Sequence, residues 1–210
     1  MSVEETRSNI LDSAEALFAE WGYHATSLRQ ITDLAGANVA SVNYHFGGKE
    51  KLLYAVLKRL LGPLNRERLS RLKDLEEACD RNGEPLSVRE VYRCFLEPTM
   101  GAMHSSEGGH LALIMGRILT EFKGVMMGHV ASILQPLLES YINAFCRAVP
   151  QRSREEVTLR FRMSMGAMLH AIHTMRANVT EDIPPELQCV VESQVIIDTL
   201  IDYVTRAMEV

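Results

Sequence analysis

Apolar residues recur with the period of an α-helix along almost the whole chain, and no segment shows the strict alternation of a β-strand. The first apolar stripe comprises Ile10, Ala14, Leu17, Phe18 and Trp21. Gly22 follows this stripe as a stop signal, and glycine or proline separates the later segments. We therefore expect an all-α fold, with further helices over about 28–35, 39–46, 50–80, 87–103, 107–122, 124–148, 153–178 and 185–208.

The predicted helices divide the chain into a small N-terminal part and a larger helical bundle. Three short helices precede a long one, which joins the two parts. Ser27 and Gln30 have the spacing of a capping box at the start of the second helix, whose buried side would be formed by Leu28, Ile31 and Leu34. Pro63 is expected to kink this long helix, because proline removes a backbone donor and clashes with the preceding turn. The predicted domains are residues 1–48 and residues 49–210.

Composition excludes several classes of protein. Hydrophobic residues make up 47% and charged residues 23% of the 210 residues, which is typical of a globular chain. The polar opening is not that of a signal peptide, and no uncharged apolar stretch is long enough to span a membrane. The four scattered cysteines have no metal-ligand spacing, and they fit buried thiols of a cytosolic protein. We expect a cytoplasmic protein with no membrane partner, cofactor or metal.

Charge is weak evidence against a nucleic-acid partner. The net charge is −5, and the first fifty residues hold Arg7, Arg29 and Lys49 against seven carboxylates. A DNA-binding interpretation must therefore depend on local geometry and not on bulk charge.

The stretch "AGANVASVNYHFGGKEKLL", residues 35–53, fits the second half of a helix-turn-helix, whose second helix enters the DNA major groove. Small side chains permit close approach to bases, Val42 and Phe46 would face inward, and neighbouring polar groups would donate to phosphates. Helix N-termini would add anion sites. This reasoning selects Ser27, Arg29, Asn38, Ala40, Ser41, Asn43, Tyr44, His45 and Lys49. From spacing alone, a plain surface helix capped by Asn38 is an equally good interpretation.

At these residues the sequence resembles the TetR family of bacterial transcriptional regulators. The resemblance covers "FAEWGYHATSLRQITDLAGANVASVNYHFGGKEKLLYAV", residues 18–56. By position it implies phosphate contacts at Ser27, His45 and Lys49, and base-facing positions at Arg29, Val39, Ala40, Ser41 and Tyr44. Two positions depart from the family pattern. Asn43 stands where a tyrosine is usual, with Tyr44 one place later, and Asn38 replaces a common serine while keeping a helix cap.

Methionine is concentrated in the predicted bundle, since ten of the eleven methionines follow residue 99. Methionine adapts to irregular apolar shapes, so this density fits a hydrophobic ligand pocket about as well as ordinary core packing. Arg117, in the apolar run "LALIMGRIL", would bind a ligand carboxylate or phosphate, although an ion pair with Glu121 or another carboxylate is the favoured alternative. The candidate ligand-binding residues are Met100, Met103, Met115, Arg117, Ile118, Leu119, Phe122, Met165, Leu169 and His173.

The last two predicted helices have the composition of a dimer interface. The final helix carries an apolar stripe too broad for one partner: Val190, Val191, Val195, Ile196, Leu200, Ile201 and Val204. The small residues Gly166, Ala167 and Ala171 would allow close helix approach, so two chains would form a symmetric four-helix interface. His170 and His173 share one helical face, but no further ligand motif accompanies them, so a metal site is not expected.

The sequence therefore predicts a ligand-responsive transcriptional regulator, and a repressor that binds a palindromic operator as a homodimer is the favoured form. A hydrophobic effector would bias the long helix and so change the spacing of the two DNA-binding heads. The segments "VNYHFGGK" and "LLGP" resemble a subgroup that responds to fatty acids or acyl-CoA. No nucleophile motif, phosphate loop or metal signature supports an enzyme. The alternative is a helical adaptor whose N-terminal unit binds protein rather than DNA.

Overall fold

The structure is a computed structural model that describes residues 2–102, 106–121, 125–176 and 192–210. Every regular element within these ranges is a helix, so the predicted all-α fold class is confirmed. In chain order the helices described are α1 (Val3–Ala25), α2 (Leu28–Ala35), α3 (Val39–Phe46), α4 (Lys49–Asn82), α5 (Val88–Ala102), α6 (Ser106–Glu121), α7 (Val125–Ala148), α8 (Arg154–Arg176) and α9 (Ser193–Glu209). None of these helices is both long and apolar enough to cross a membrane. The start predicted for the last helix, near residue 185, lies outside the described residues.

The chain divides into two compact units. The first unit comprises Met1–Pro63 and Ser105–Leu134, and the second comprises Leu64–His104 and Gln135–Val210. Helices α4 and α7 therefore contribute residues to both units. Each of these helices continues through an internal proline, Pro63 in α4 and Pro136 in α7. The kink predicted at Pro63 and the functional boundary predicted between residues 48 and 49 stay predictions.

Helix α1 provides the central apolar face of the first unit, and it confirms the predicted stripe except at one position. Ile10 is fully buried and Phe18 is 1% exposed, but Trp21 is 44% exposed. The difference arises at Gly22, whose φ of 81° and ψ of 170° interrupt the helical backbone directly after Trp21. The hydroxyl of buried Thr26 donates to the Gly22 carbonyl at 2.7 Å and holds the chain as it leaves α1.

Helix α2 begins with the predicted capping box but buries a different face from the one expected. The Ser27 hydroxyl accepts from the Gln30 amide, and the Gln30 side chain accepts from the Ser27 amide. Leu34 was expected to face the core and is instead 60% exposed, whereas Ala35 is buried. One face of the helix carries positions 28, 31, 32 and 35. Position 34 lies about 100° around the helix from the centre of this face and therefore points away from the core.

The first unit also buries a carboxylate. Glu15 in α1 is 6% exposed, and its two oxygens have separate partners. One oxygen pairs with the guanidinium of Arg59 in α4, and the other lies 2.8 Å from Nδ1 of His110 in α6. Arg59 also pairs with the exposed Asp12. Charge-assisted hydrogen bonds thus connect three helices of this unit.

The core of the second unit is a cluster of aromatic rings around Phe161 in α8. Its ring centroid lies 5.2 Å from those of Phe95 and Phe145 and 6.1 Å from that of Tyr141. Tyr92 completes the cluster, and its hydroxyl lies 2.6 Å from the hydroxyl of Ser164. Burial raises the pKa of Tyr92 to about 12. Such rings dominate the burial energy of a small core.

Candidate nucleic-acid interface

The turn between α2 and α3 is built by one glycine and one cap. Gly36 takes the left-handed conformation with φ 62°, and its amide donates to the Thr32 carbonyl. Such a φ favours glycine because a Cβ there would crowd the backbone. Asn38 then caps α3, since its side-chain oxygen accepts from the Ser41 amide at 2.9 Å. The predicted helix-turn-helix geometry follows from these two residues.

Helix α3 has one buried face and one exposed face. Val42 is fully buried and Phe46 is 8% exposed, so both anchor the helix as predicted. On the other side Tyr44 is 81% exposed, Val39 is 40% exposed, and Asn43 is exposed. A short helix that presents a large amphipathic ring to solvent is suited to contact sugar, phosphate or a thymine methyl group.

Asn38 and Ser41 hold each other at the start of α3. Besides the amide contact, the Ser41 hydroxyl donates to the same Asn38 oxygen at 3.2 Å. Ser27 has the corresponding position at the start of α2, where its hydroxyl accepts from the Gln30 amide at 3.2 Å. These side chains therefore fix the N-termini of α2 and α3, and the sequence selected the N-terminus of α2 as an anion site.

Lys49, at the start of α4, is positioned by an aromatic ring. Its ammonium nitrogen lies 4.2 Å from the centroid of Tyr23, a cation–π contact. Burial lowers the pKa of Lys49, and burial together with the charge of Glu50 raises the pKa of Tyr23. The raised pKa keeps the Tyr23 phenol neutral at neutral pH. The sequence did not identify Tyr23, which lies 26 positions before Lys49.

The structure places all ten candidate DNA-binding residues in the first unit, and none of them is buried. Tyr44 and His45 lie edge to face, with ring centroids 5.1 Å apart. A second residue that the sequence did not select is Arg7, an exposed cation whose guanidinium carbon lies 5.3 Å from the Phe46 ring centroid. The DNA-binding role of this surface stays a prediction.

The candidate ligand-binding residues are divided between the two units. Met100 is fully buried in the second unit, where Met165 and Leu169 are half-buried and His173 is exposed. Met115 belongs to the first unit and is half-buried. The remaining apolar candidates, Met103, Ile118, Leu119 and Phe122, have side chains outside the described part of the chain. Their role in a pocket stays a prediction.

Arg117 has a partner that the sequence did not suggest. Its Nη2 donates to the backbone carbonyl of Glu20 in α1 at 2.8 Å, within the first unit. The favoured alternative, an ion pair with Glu121, falls on a side chain that the structure does not describe. The Arg117 side chain therefore joins α6 to α1 through this hydrogen bond.

Helices α8 and α9 of the second unit form an apolar groove of about 550 Å³. Its lining comprises Ala167, His170, Ala171, Thr174, Val195, Ile196, Thr199, Leu200 and Tyr203. Exposed apolar side chains continue this face, with Leu159 53%, Met163 65% and Tyr203 64% exposed. Three members of the predicted apolar stripe are buried within the unit, namely Leu200, Ile201 and Val204. Val190 and Val191 lie outside the described residues.

Comparison with known proteins gives matches over both parts of the chain. Residues 10–56 match the family described as bacterial regulatory proteins, tetR family, and residues 93–206 match a tetracyclin repressor-like C-terminal domain. The chain is 38% identical over 60 residues to the HTH-type transcriptional regulator RutR of Escherichia coli (strain K12), covering 29% of this chain and 28% of RutR. It is 34% identical over 74 residues to the HTH-type transcriptional repressor NicS of Pseudomonas putida, covering 35% of each. The chain thus aligns with about a third of each relative's length.

Solved structures match over nearly the whole chain. The transcriptional regulator FadR from Bacillus subtilis, in complex with stearoyl-CoA, superposes with a TM-score of 0.71 at 16% identity. This match covers 95% of the present chain and 98% of FadR. At this identity the likeness shows the fold.

Proposed function

The chain belongs to the TetR family of bacterial regulatory proteins, as its sequence resemblance predicted, and we propose that it is a cytoplasmic transcriptional repressor. In this proposal it binds a palindromic operator as a homodimer and is released by a hydrophobic small molecule. Membership of a family of regulators agrees with the prediction that the chain is not an enzyme.

The exposed ring of Tyr44 is the observation that carries the DNA-binding proposal. It projects from α3, whose opposite face is anchored by Val42 and Phe46 in the core. Lys49, at the start of α4, packs against the ring of Tyr23. Its ammonium would neutralise a DNA phosphate next to the Tyr44 ring. The overall charge of −5 does not favour DNA, so the interface depends on these local donors.

The outward face of α8 and α9 supports the homodimer. Met163 and Tyr203 are large, apolar or amphipathic, and about two-thirds exposed, which is unusual for a face that stays in water. A second copy of the same face would cover both helices with twofold symmetry. The two helix-turn-helix units of the dimer would then bind two half-sites of the operator at once, which compensates for the weak binding of each unit alone.

The hydrophobic effector is supported by the second unit and by a structural neighbour. FadR from Bacillus subtilis, which shares the fold, was solved with stearoyl-CoA. In the present chain Met100 is fully buried in the second unit. Release of DNA needs a ligand that binds one arrangement of the protein more tightly, with a coupling of about 1–3 kcal/mol.

Selection of duplexes from a randomised DNA pool, followed by fluorescence anisotropy with the enriched duplex, tests the regulator. The enriched sequences should contain two inverted half-sites, because the protein is proposed to bind as a symmetric dimer. Tyr44→Ala should weaken binding by about tenfold or more, on the order of 1–3 kcal/mol. Lys49→Ala should reduce the salt dependence by about one unit of slope, as expected for one lost phosphate contact.

Lys58→Ala is the matched control, since Lys58 is an exposed lysine of the same helix that lies more than two turns beyond Lys49. This variant should bind like the unmodified protein. Normal binding by both Tyr44→Ala and Lys49→Ala would contradict the proposed surface. Failure to enrich any duplex, or binding that ignores salt, would instead favour the helical adaptor.

A further inference from the structure

The second unit buries one guanidinium among neutral groups. Arg68 in α4 is 3% exposed, and its donors reach three acceptors. Nε donates to the Phe95 carbonyl at 3.1 Å, Nη1 donates to the Asn65 side-chain oxygen at 3.3 Å, and Nη2 donates to the Thr99 hydroxyl. The guanidinium carbon also lies 4.1 Å from the centroid of the Phe95 ring. We call Asn65, Arg68, Phe95 and Thr99 the Arg68 cluster.

No carboxylate of the described residues forms an ion pair with Arg68. Arg71, one turn further along α4, shows the usual arrangement, because it is half-exposed and pairs with both Glu67 and Glu97. Burial lowers the pKa of Arg68 to about 10, so the guanidinium still carries its charge at neutral pH. A buried charge without a counter-charge costs folding free energy, even where neutral acceptors satisfy its hydrogen bonds.

The groups of α5 and α7 around Arg68 are hydrogen-bonded without its side chain, whereas the buried Asn65 side-chain oxygen accepts from Arg68. The Thr99 hydroxyl donates to the Phe95 carbonyl at 2.9 Å, so these two acceptors are already joined to each other. The Tyr141 hydroxyl donates to the backbone carbonyl of Arg68 at 2.9 Å, a bond that any residue at position 68 would keep. The guanidinium is therefore dispensable for the local hydrogen bonding of α5 and α7.

We propose that the Arg68 cluster is the anion-binding part of the effector site and takes the carboxylate of an otherwise apolar acid. This inference rests on the proposed function, in which a hydrophobic effector binds this chain. Each terminal nitrogen of Arg68 carries two hydrogens and makes one hydrogen bond within the described residues, so one hydrogen on each is available for the two oxygens of a carboxylate.

The chemistry of the cluster distinguishes a free acid from other ligands. One guanidinium compensates one negative charge, which matches a carboxylate and not the several phosphate charges of a coenzyme A ester. The Phe95 and Tyr141 rings, which lie edge to face, and the Met100 side chain are fully or almost fully buried in this unit and would accompany a hydrocarbon chain. An amphipathic monocarboxylate, such as a fatty acid, combines both features.

Calorimetric titration and thermal unfolding of the full chain with laurate, 1-dodecanol and lauroyl-CoA test this proposal. Laurate and dodecanol share one hydrocarbon chain and differ in charge. Laurate should raise the unfolding midpoint by mass action, and dodecanol and lauroyl-CoA should raise it much less. Arg68→Met should weaken laurate binding at least tenfold, about 1.4 kcal/mol, and leave dodecanol binding unchanged. Arg71→Met, which removes a guanidinium that already has carboxylate partners, should bind laurate normally.

A second measurement separates a binding role from a structural one. Without ligand, Arg68→Met should unfold at the same temperature as the unmodified chain or at a higher one, because an uncompensated buried charge is replaced by an apolar side chain. A guanidinium needed for folding would instead lower the midpoint. Unchanged laurate affinity of Arg68→Met, or no preference of the unmodified chain for laurate over dodecanol, overturns the proposal.

Arg68→Lys keeps the test decisive if the methionine variant does not fold. It retains the charge and loses the paired donors, so laurate should bind more weakly but still more tightly than dodecanol. Equal affinities for the two probes would overturn the proposal. The operator-binding assay described above separates this proposal from the regulator itself: Arg68→Met should bind the enriched duplex normally and lose only the response to laurate.

Discussion

Among the described residues, each compact unit buries one charged side chain, and the two units surround that charge differently. In the first unit Glu15 pairs with Arg59 and lies beside His110, so its charge is compensated by its own chain. In the second unit Arg68 donates, among the described residues, only to a carbonyl, an amide oxygen and a hydroxyl. One buried charge has a partner of opposite sign, and the other has none in the part of the chain that the structure describes.

The difference indicates different roles. A compensated carboxylate that joins α1, α4 and α6 holds the helices of the first unit together, and removing it leaves a partner without its bond. An uncompensated guanidinium stabilises the unit little and is suited to a ligand that supplies the missing charge. The first unit therefore places its candidate contacts on an outer surface, at Tyr44 and Lys49, whereas the second unit keeps its candidate contact in the core.

The largest expected effect concerns the core that surrounds Arg68. Phe161 is 1% exposed and contacts Phe95, whose ring lies against the guanidinium. Phe161→Ala should lower the free energy of unfolding by about 3–5 kcal/mol, because it leaves a cavity among packed rings. Urea denaturation followed by circular dichroism measures this change. Tyr44→Ala, which removes an exposed ring of the first unit, should change it by less than about 0.5 kcal/mol. Similar losses for both variants would contradict the contrast between an outer surface and a packed core.

The sequence predicted the first unit well because its determinants are local. The Ser27–Gln30 capping box, the left-handed Gly36 and the Asn38 cap all act within four residues, and such spacing is visible in the chain itself. The wrong prediction at Leu34 was also local: the core-facing position of α2 is the next residue, Ala35, and not Leu34. Element order and helix bounds were therefore predictable to within a few residues over most of the described chain.

The candidate sites were predictable only in part, because burial of a charge depends on distant residues. In the sequence, "NRERLSRLKD" is typical of a solvated helix face, and nothing there distinguishes Arg68 from Arg66 or Arg71. The distinction comes from α5, whose Thr99 lies 31 positions away in the chain. The contact of Lys49 with Tyr23 was missed for the same reason, since the two residues meet only after α1, α2 and α3 have packed.

A smaller effect is expected at Glu15. Glu15→Gln removes the charge that faces Arg59 and keeps the shape of the side chain, so the free energy of unfolding should fall by about 1–3 kcal/mol. Asp12→Asn is the matched control, because Asp12 pairs with the same arginine but its side chain is 60% exposed. This control should cost less than about 1 kcal/mol. If the two variants lose equal stability in urea denaturation, burial of Glu15 adds nothing to the ion pair and the structural role assigned to it fails.

The smallest effect is expected at an ion pair on the surface of the second unit. Arg89 in α5 pairs with Asp202 in α9, and both side chains are exposed. The hydrogen bond from Arg89, followed by its charge, lowers the pKa of the Asp202 carboxyl. A carboxyl whose pKa is lowered by folding stabilises the folded state above its unfolded pKa, and this stabilisation disappears as the pH falls through the folded pKa. The unmodified chain should therefore unfold at a slightly higher temperature than Asp202→Asn at neutral pH and at the same temperature in strong acid.

Added salt and a double variant test whether the ion pair causes this small difference in unfolding temperature. Salt should reduce the difference, because exposed charges are screened. Asp202→Asn should add no further change in a chain that already carries Arg89→Gln. If Asp202→Asn lost as much unfolding free energy as Glu15→Gln, an ion pair would stabilise the protein equally on the surface and in the core. The absence of a carboxylate beside Arg68 would then say less about its role, since burial is what makes an uncompensated charge costly.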